Sequence, residues 1–259
     1  MIIDFTKITI YEILALVLSL IAILVPLFKC LWNALFVKAE LKFIPNKKML
    51  VFFNRSGAYV RIDGAYEALN KSITIRNGKV QIIREDNTVL NLDWSVFVSP
   101  AWQNFSGSIA SSNEYAHPFR LEANSLICAF VEYADPFNKG NILWQKIESK
   151  LNPIALKLKK EYESFDEALK EIKNSPDFIQ AYRDLQATFF WQAGEYNLSI
   201  ENQYESEKAN FKYSFTLQQY DIDKLNSNID KVLVSILSEK YNIPTGCETP
   251  TVDLKEKLT

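Results

Sequence analysis

The chain has 259 residues, 29 Lys+Arg against 31 Asp+Glu for a net charge of −2, and 48% hydrophobic residues. That apolar fraction is enough to bury a globular core, and the balanced charge argues against a nucleic-acid binder, which carries a basic excess. The 7 glycines and 9 prolines exclude a collagenous or low-complexity chain, while the length allows one large domain or two small ones.

Residues 1–9 read as a short extracytoplasmic amino terminus, and 10–37 as a transmembrane helix. Ile13 to Phe28 are sixteen consecutive uncharged residues, and the apolar stretch continues past Lys29 through Trp32, Leu35, Phe36 and Val37. A bilayer needs roughly 20 such residues, and Tyr11 and Trp32 stand where interface anchors belong. A cleaved signal peptide would have a basic start and a small-residue cleavage site; here Asp4, Lys7 and Glu12 precede the span, and Phe28, Lys29, Cys30 and Leu31 end it. Lys29, Lys38, Lys42, Lys47 and Lys48 follow the span, against Lys7 alone ahead of it. By the positive-inside rule the amino terminus faces out and the body of the chain lies in the cytosol.

The span carries a second pattern. Glu12, Ala15, Ser19, Ala22, Pro26, Lys29 and Asn33 recur at spacings of 3, 4, 3, 4, 3 and 4, and every other position between them except Cys30 is Leu, Ile, Val, Phe or Trp. Small residues let helix backbones approach in lipid, and polar ones there face protein or water. A 3.5-residue period implies left-handed packing against like helices, so the seam predicts a homo-oligomer, a tetramer or similar. Stacked rings of Glu12, Ser19, Pro26, Lys29 and Asn33 would line an ion path, with a kink at Pro26; a dry oligomeric anchor is the alternative.

Residues 38–243 read as one cytosolic domain. Between 39 and 135 short alternating runs predict eight or so strands. They begin at Leu41, Met49, Ala58 and Ala65, and continue with a hairpin turning at Asn77-Gly78 and a run through Leu90, Leu92, Trp94 and Val96. This regular spacing suggests an immunoglobulin-like antiparallel β-sandwich, α+β overall, without the Cys-Trp-Cys signature. From about 138 to 191 the period becomes helical, with starts near Ser164 and Asp177, as an insertion into the sandwich. Alternating runs at Tyr196–Ile200 and Phe211–Leu217 return to strand. A helix follows from about Asp221, and 244–259 reads as a flexible tail.

Catalytic and metal motifs are not legible. His117 is the single histidine, and Cys30, Cys128 and Cys247 lack the close spacing of zinc ligands. The glycines at 57, 64, 78, 107, 140, 194 and 246 write no phosphate-binding loop. The expectation is a protein that is not an enzyme, with no cofactor or metal and with unpaired cysteines suited to a reducing compartment.

Trp191–Ile200, Phe215-Thr-Leu, Asp221-Ile-Asp-Lys-Leu, Gly57–Gly64 and Ser99-Pro100 resemble stretches of uncharacterised bacterial membrane-anchored sandwich proteins. One amino-terminal span ahead of a cytosolic β-rich body is also similar to the channel effectors of Hailong-type anti-phage systems. The resemblance implies an inner-membrane channel held closed by a short oligonucleotide that a partner nucleotidyltransferase makes. It assigns no binding residue.

Overall fold

The computed structural model describes residues 10–98, 102–103, 109–110 and 113–257, with the backbone alone at 30, 33–35, 102–103 and 109–110. The expected extracytoplasmic segment 1–9 and Ser99-Pro100 lie outside these residues. Helix α1 (Ile10–Phe36) leads after three residues into β1 (Glu40–Asn54), β2 (Gly57–Leu69), β3 (Ile73–Arg84) and β4 (Val89–Val98). Next come β5 (Trp102–Gln103), β6 (Ile109–Ala110), β7 (Asn113–Tyr115), β8 (Phe119–Leu121) and β9 (Ser125–Ala134). Helices α2 (Lys139–Glu161), α3 (Phe165–Asn174) and α4 (Pro176–Ala187) precede β10 (Gly194–Tyr204), β11 (Glu207–Leu217), α5 (Gln219–Ser238), β12 (Thr251–Asp253) and β13 (Lys255–Glu256).

The protein is α+β, but its strands do not form the two sheets of a sandwich. Apart from the small β5–β6 pair, they join one antiparallel sheet in the order β12-β1-β2-β9-β4-β3-β10-β11-β13, with β7 on β4 and β8 on β3. The two ends of that path are neighbours in sequence. Lys48–Leu50 of β1 pair with Thr251–Asp253, and Tyr213 and Ser214 of β11 pair with Lys255 and Glu256. One carboxyl-terminal segment therefore holds both edges, and the sheet is barrel-like. Closure removes the sheet's outer edges and gives the strands a common interior. The tail expected to be loose is this closing segment, with Val252 and Leu254 buried.

Three interruptions expected from the sequence are irregularities inside long strands. β3 runs through Asn77-Gly78 without turning. Its register against β10 passes from Asn77↔Gln203 to Ile75↔Tyr204, leaving Arg76 as an extra residue. The glycine marks a bulge, the other use a strand makes of one. A Cβ on Gly78 would lie 3.1 Å from Asn202 Oδ1 and 3.3 Å from the Trp94 ring. Asp63-Gly64 lies within β2, where a Cβ on Gly64 would stand 2.6 Å from the Phe43 ring. The two runs expected at Leu41 and Met49 are one strand, β1, with a register shift between Pro45 and Met49.

Inside the barrel, Val51, Phe53, Val60, Ile62, Ile75, Val80, Ile82, Leu92, Val131, Leu198, Ile200 and Phe215 are almost fully buried. Helices α2 to α5 gather at the end where the β1–β2 turn lies. Trp191 Nε1 donates to the Phe52 carbonyl at 3.0 Å, and Asn228 Nδ2 donates to the carbonyls of Phe53 and Glu248 at 3.3 and 2.8 Å. Gly140 starts α2 so close to that turn that a Cβ would sit 2.2 Å from the Ser56 carbonyl oxygen. The second half of α5, Val232 to Ser238, is buried on every face. Pro176 opens α4, and Ser175 caps it by accepting from the Phe178 amide at 3.2 Å.

Candidate functional site: the α1 seam and the surfaces of the barrel

Helix α1 is unbroken over 27 residues, about 40 Å of helix against a hydrocarbon layer of about 30 Å. Its Ile10–Lys29 stretch has a mean hydropathy of 2.5, and none of it is buried by the rest of the chain. One amino-terminal helix is thus long and apolar enough to span a membrane. At about 100° per residue, Glu12, Ala15, Ser19, Ala22, Pro26 and Lys29 fall on one stripe that drifts slowly around it. The backbone of Asn33 continues the same stripe, while its side chain lies outside the described residues.

Each seam residue has a local chemistry of its own. Glu12 sits in the first turn, where a carboxylate meets the positive end of the helix dipole. Ser19 Oγ donates to the Ala15 carbonyl at 2.8 Å, so the hydroxyl is satisfied within its own helix. Pro26 has no N–H to give to the Ala22 carbonyl, which leaves an acceptor on the stripe in mid-helix. The result is a stripe of small volume and uneven polarity. Trp32 and Phe36 pack together at 4.5 Å near the far end.

At the barrel end next to α1, the Asn70 side chain donates to the Lys38 carbonyl at 3.2 Å, and the Asn70 backbone N–H donates to Asn124 Oδ1 at 3.2 Å. The turns after β2 and before β9 are thereby tied to the link between span and barrel. Beside them, Phe97, Phe119, Ile127 and Phe130 line an apolar groove of about 250 Å³ with Arg120 on its rim. His117 is exposed at this groove, its ring edge-on to Phe97 at 5.6 Å and its Nδ1 3.1 Å from the Tyr115 carbonyl. Cys128, which lines this groove, and Cys247 are free, exposed thiols. Among the described residues no cluster of His, Cys, Asp and Glu could hold a metal ion.

Sequence reasoning missed a polar chain inside the barrel. Tyr66 donates to Asn202 Oδ1 at 3.2 Å, and the Tyr133 hydroxyl lies 3.4 Å from that of Tyr66. Since the Tyr66 proton goes to Asn202, Tyr133 is the donor to Tyr66. Burial pushes both phenols above their ordinary pKa, and Asn202 Nδ2 has no partner among the described residues. A signal was present: Asn202 is in phase with the inward Leu198 and Ile200. On the outer wall, burial raises the Glu132 carboxyl, against the opposing charge of Arg61. Arg61 Nε in turn donates to Asp63 at 2.8 Å.

Among known proteins, no family model and no curated protein matches the chain. A solved structure of a family 123 glycoside hydrolase from Clostridium perfringens is similar over 71% of this chain, at 10% identity and a TM-score of 0.30. The match spans 28% of that hydrolase chain. The expectation that the chain is not an enzyme is corrected by this likeness. Catalytic acids and bases can come from residues far apart in the sequence, so missing local motifs had no bearing on catalysis. At this identity and TM-score the likeness assigns no activity.

Proposed function

We propose that this chain is a single-span membrane protein whose α1 helices associate through their seam. The amino terminus lies outside the bacterial inner membrane and the barrel domain lies in the cytosol, the side the lysine asymmetry favours. In the oligomer the spans enclose an ion path that the barrel domain opens or closes, as an effector of anti-phage defence. The resemblance to Hailong-type effectors adds the class of partner, a nucleotidyltransferase or its short oligonucleotide product. The observation that carries the reading is the unburied continuous helix α1, with Glu12, Ala15, Ser19, Ala22, Pro26 and Lys29 on one stripe. Such a face in lipid is stabilised by packing against its own kind.

The test uses the full chain in liposomes. Ser19→Leu with Ala22→Leu is expected to lower the cross-linked oligomer order, whereas Val17→Leu with Ile21→Leu on the outer face leaves it unchanged. Glu12→Gln or Lys29→Gln should alter conductance or ion selectivity while the oligomer persists. Equal effects on both faces, together with a wild type that passes no current, overturn the channel. A membrane-tethered module that recruits a cytosolic partner is the second reading. It is favoured by the Ser19 hydroxyl, whose internal bond lets the seam pack without water.

A further inference from the structure

The outer wall of the barrel holds a concavity of about 520 Å³ over β4, β3 and β10, within the size range of small-molecule sites. Strand register builds its floor as two cross-strand rows. One runs Asn91, Gln81, Ser199; the other runs Asp93, Lys79, Glu201, Asn210. All these side chains point outward, because Val80, Leu92 and Ile200 between them are buried. Directly opposed residues stand about 5 Å apart, so the floor is a lattice of amide, hydroxyl and carboxylate groups fixed by the sheet. Gln81 Nε2 donates to Asn91 Oδ1 at 3.1 Å, and Lys208 holds Glu201 from the side at 2.8 Å. Asp93 and Lys79 face each other across the ladder without forming an ion pair, so both keep hydrogen-bonding capacity.

Over the margin stands Phe137, 70% exposed, beside Pro136. An exposed Phe on a loose loop would mean little, but this loop is held. Asp135 accepts from the amides of Phe137 and Lys139 at 3.2 and 2.8 Å, and Asn138 takes a φ of 51°. An aromatic plate, with Lys139 Nζ over one face at 5.4 Å from its centroid and the other face left for a ligand, is thus fixed at the edge of a polar, concave floor.

We infer that this face is a saccharide-binding site, taking a pyranose ring with its C–H face on Phe137 and its hydroxyls on Asn91, Gln81, Asp93 and Asn210. The ligand such a surface fits is a ring apolar on one face and rimmed with hydroxyls. The floor carries Asp93 and Glu201 against Lys79, with Lys208 on Glu201 and Lys212 opposite Ser199, so its charge is close to balance and it lacks the Arg and Lys cluster that a phosphate chain calls for. The site does not depend on α1 or on its assembly.

The experiment measures saturation-transfer NMR of maltotriose, cellotriose and chitotriose, with adenosine as the nucleobase arm, on the full chain in phosphatidylcholine nanodiscs. Nanodiscs avoid glycosidic detergents, which would compete. At least one trisaccharide is expected to show transfer, weakened roughly tenfold by Phe137→Ala, the scale of a lost ring contact. Gln81→Arg, which fills the floor, should abolish it. Both side chains are solvent-facing, so an unchanged thermal midpoint confirms that the fold is intact. No transfer to any trisaccharide, transfer indifferent to Phe137→Ala, or Phe137-dependent transfer to adenosine alone overturns the assignment.

Discussion

At the scale of single residues, the barrel interior depends on a polar chain that its apolar neighbours do not need. Tyr66 is its middle link, donating to Asn202 and accepting from Tyr133. Tyr66→Phe removes both bonds and leaves buried acceptor and donor groups without partners. It should therefore cost about 1–3 kcal/mol, whereas Tyr133→Phe, which removes only the terminal donor, should cost under about 1 kcal/mol. Urea unfolding of the two variants checks the order, and equal losses would mean that the chain is not connected as described. Asn202 Oδ1 lies beside Gly78, and the lack of a partner for Nδ2 among the described residues has no physical account in these contacts.

At the scale of elements, the short carboxyl-terminal strands have more consequence than their length suggests. Val252 and Leu254, at 5% and 8% exposure, both enter the core, and the segment pairs with β1 and β11 together. Leu254→Ala should destabilise by about 2–4 kcal/mol, as a large-to-small change in a core does. Thr251→Ala, exposed in the same ladder, should change stability by less than about 0.5 kcal/mol. Thermal or urea denaturation distinguishes them. Similar small effects of both would mean that the barrel does not need this closure. The helices are sharper in sequence. Ser175 followed by Pro176 starts α4 by a cap and a preset φ, whereas Ser164 stands at the start of α3 without a side-chain capping bond.

At the scale of the whole molecule, burial on the barrel has a consequence for pH. The phenols of Tyr59, Tyr66, Tyr133, Tyr196 and Tyr204 are all raised first by burial, and that of Tyr213 is pushed up to about 12 by burial with Glu256 nearby. In the unfolded chain these groups ionise near about 10. A raised folded pKa means that the fold favours the neutral phenol, so this stability is complete below about pH 10. It is lost as pH rises toward the folded values, because the unfolded chain ionises first. The urea midpoint should accordingly be flat up to about pH 9 and fall steeply between about pH 10 and 12. A midpoint that holds through this window contradicts the packing of these rings.

What the sequence determined by itself is what depends on neighbours along the chain. The span at Ile10–Phe36 follows from continuous apolarity, and the stripe from Glu12 to Lys29 follows from spacing on one helix. The helices at 139–187 and 219–238 follow from their period and from residues such as Pro176. Strand content was legible for the same reason, since alternation is local. The tertiary structure alone decided how the strands close. A Gly in a strand serves a turn or a bulge equally well, and Asn77-Gly78 became a bulge because β3 pairs with β10 on both sides of it, from Ile75 to Arg84. The tail looked loose because its few apolar residues, Val252 and Leu254, gain burial only once β1 and β11 stand on either side of them. The polar floor over β4, β3 and β10 was hidden likewise: its rows join residues far apart in the chain, and only register brings Asn91, Gln81 and Ser199 into one line.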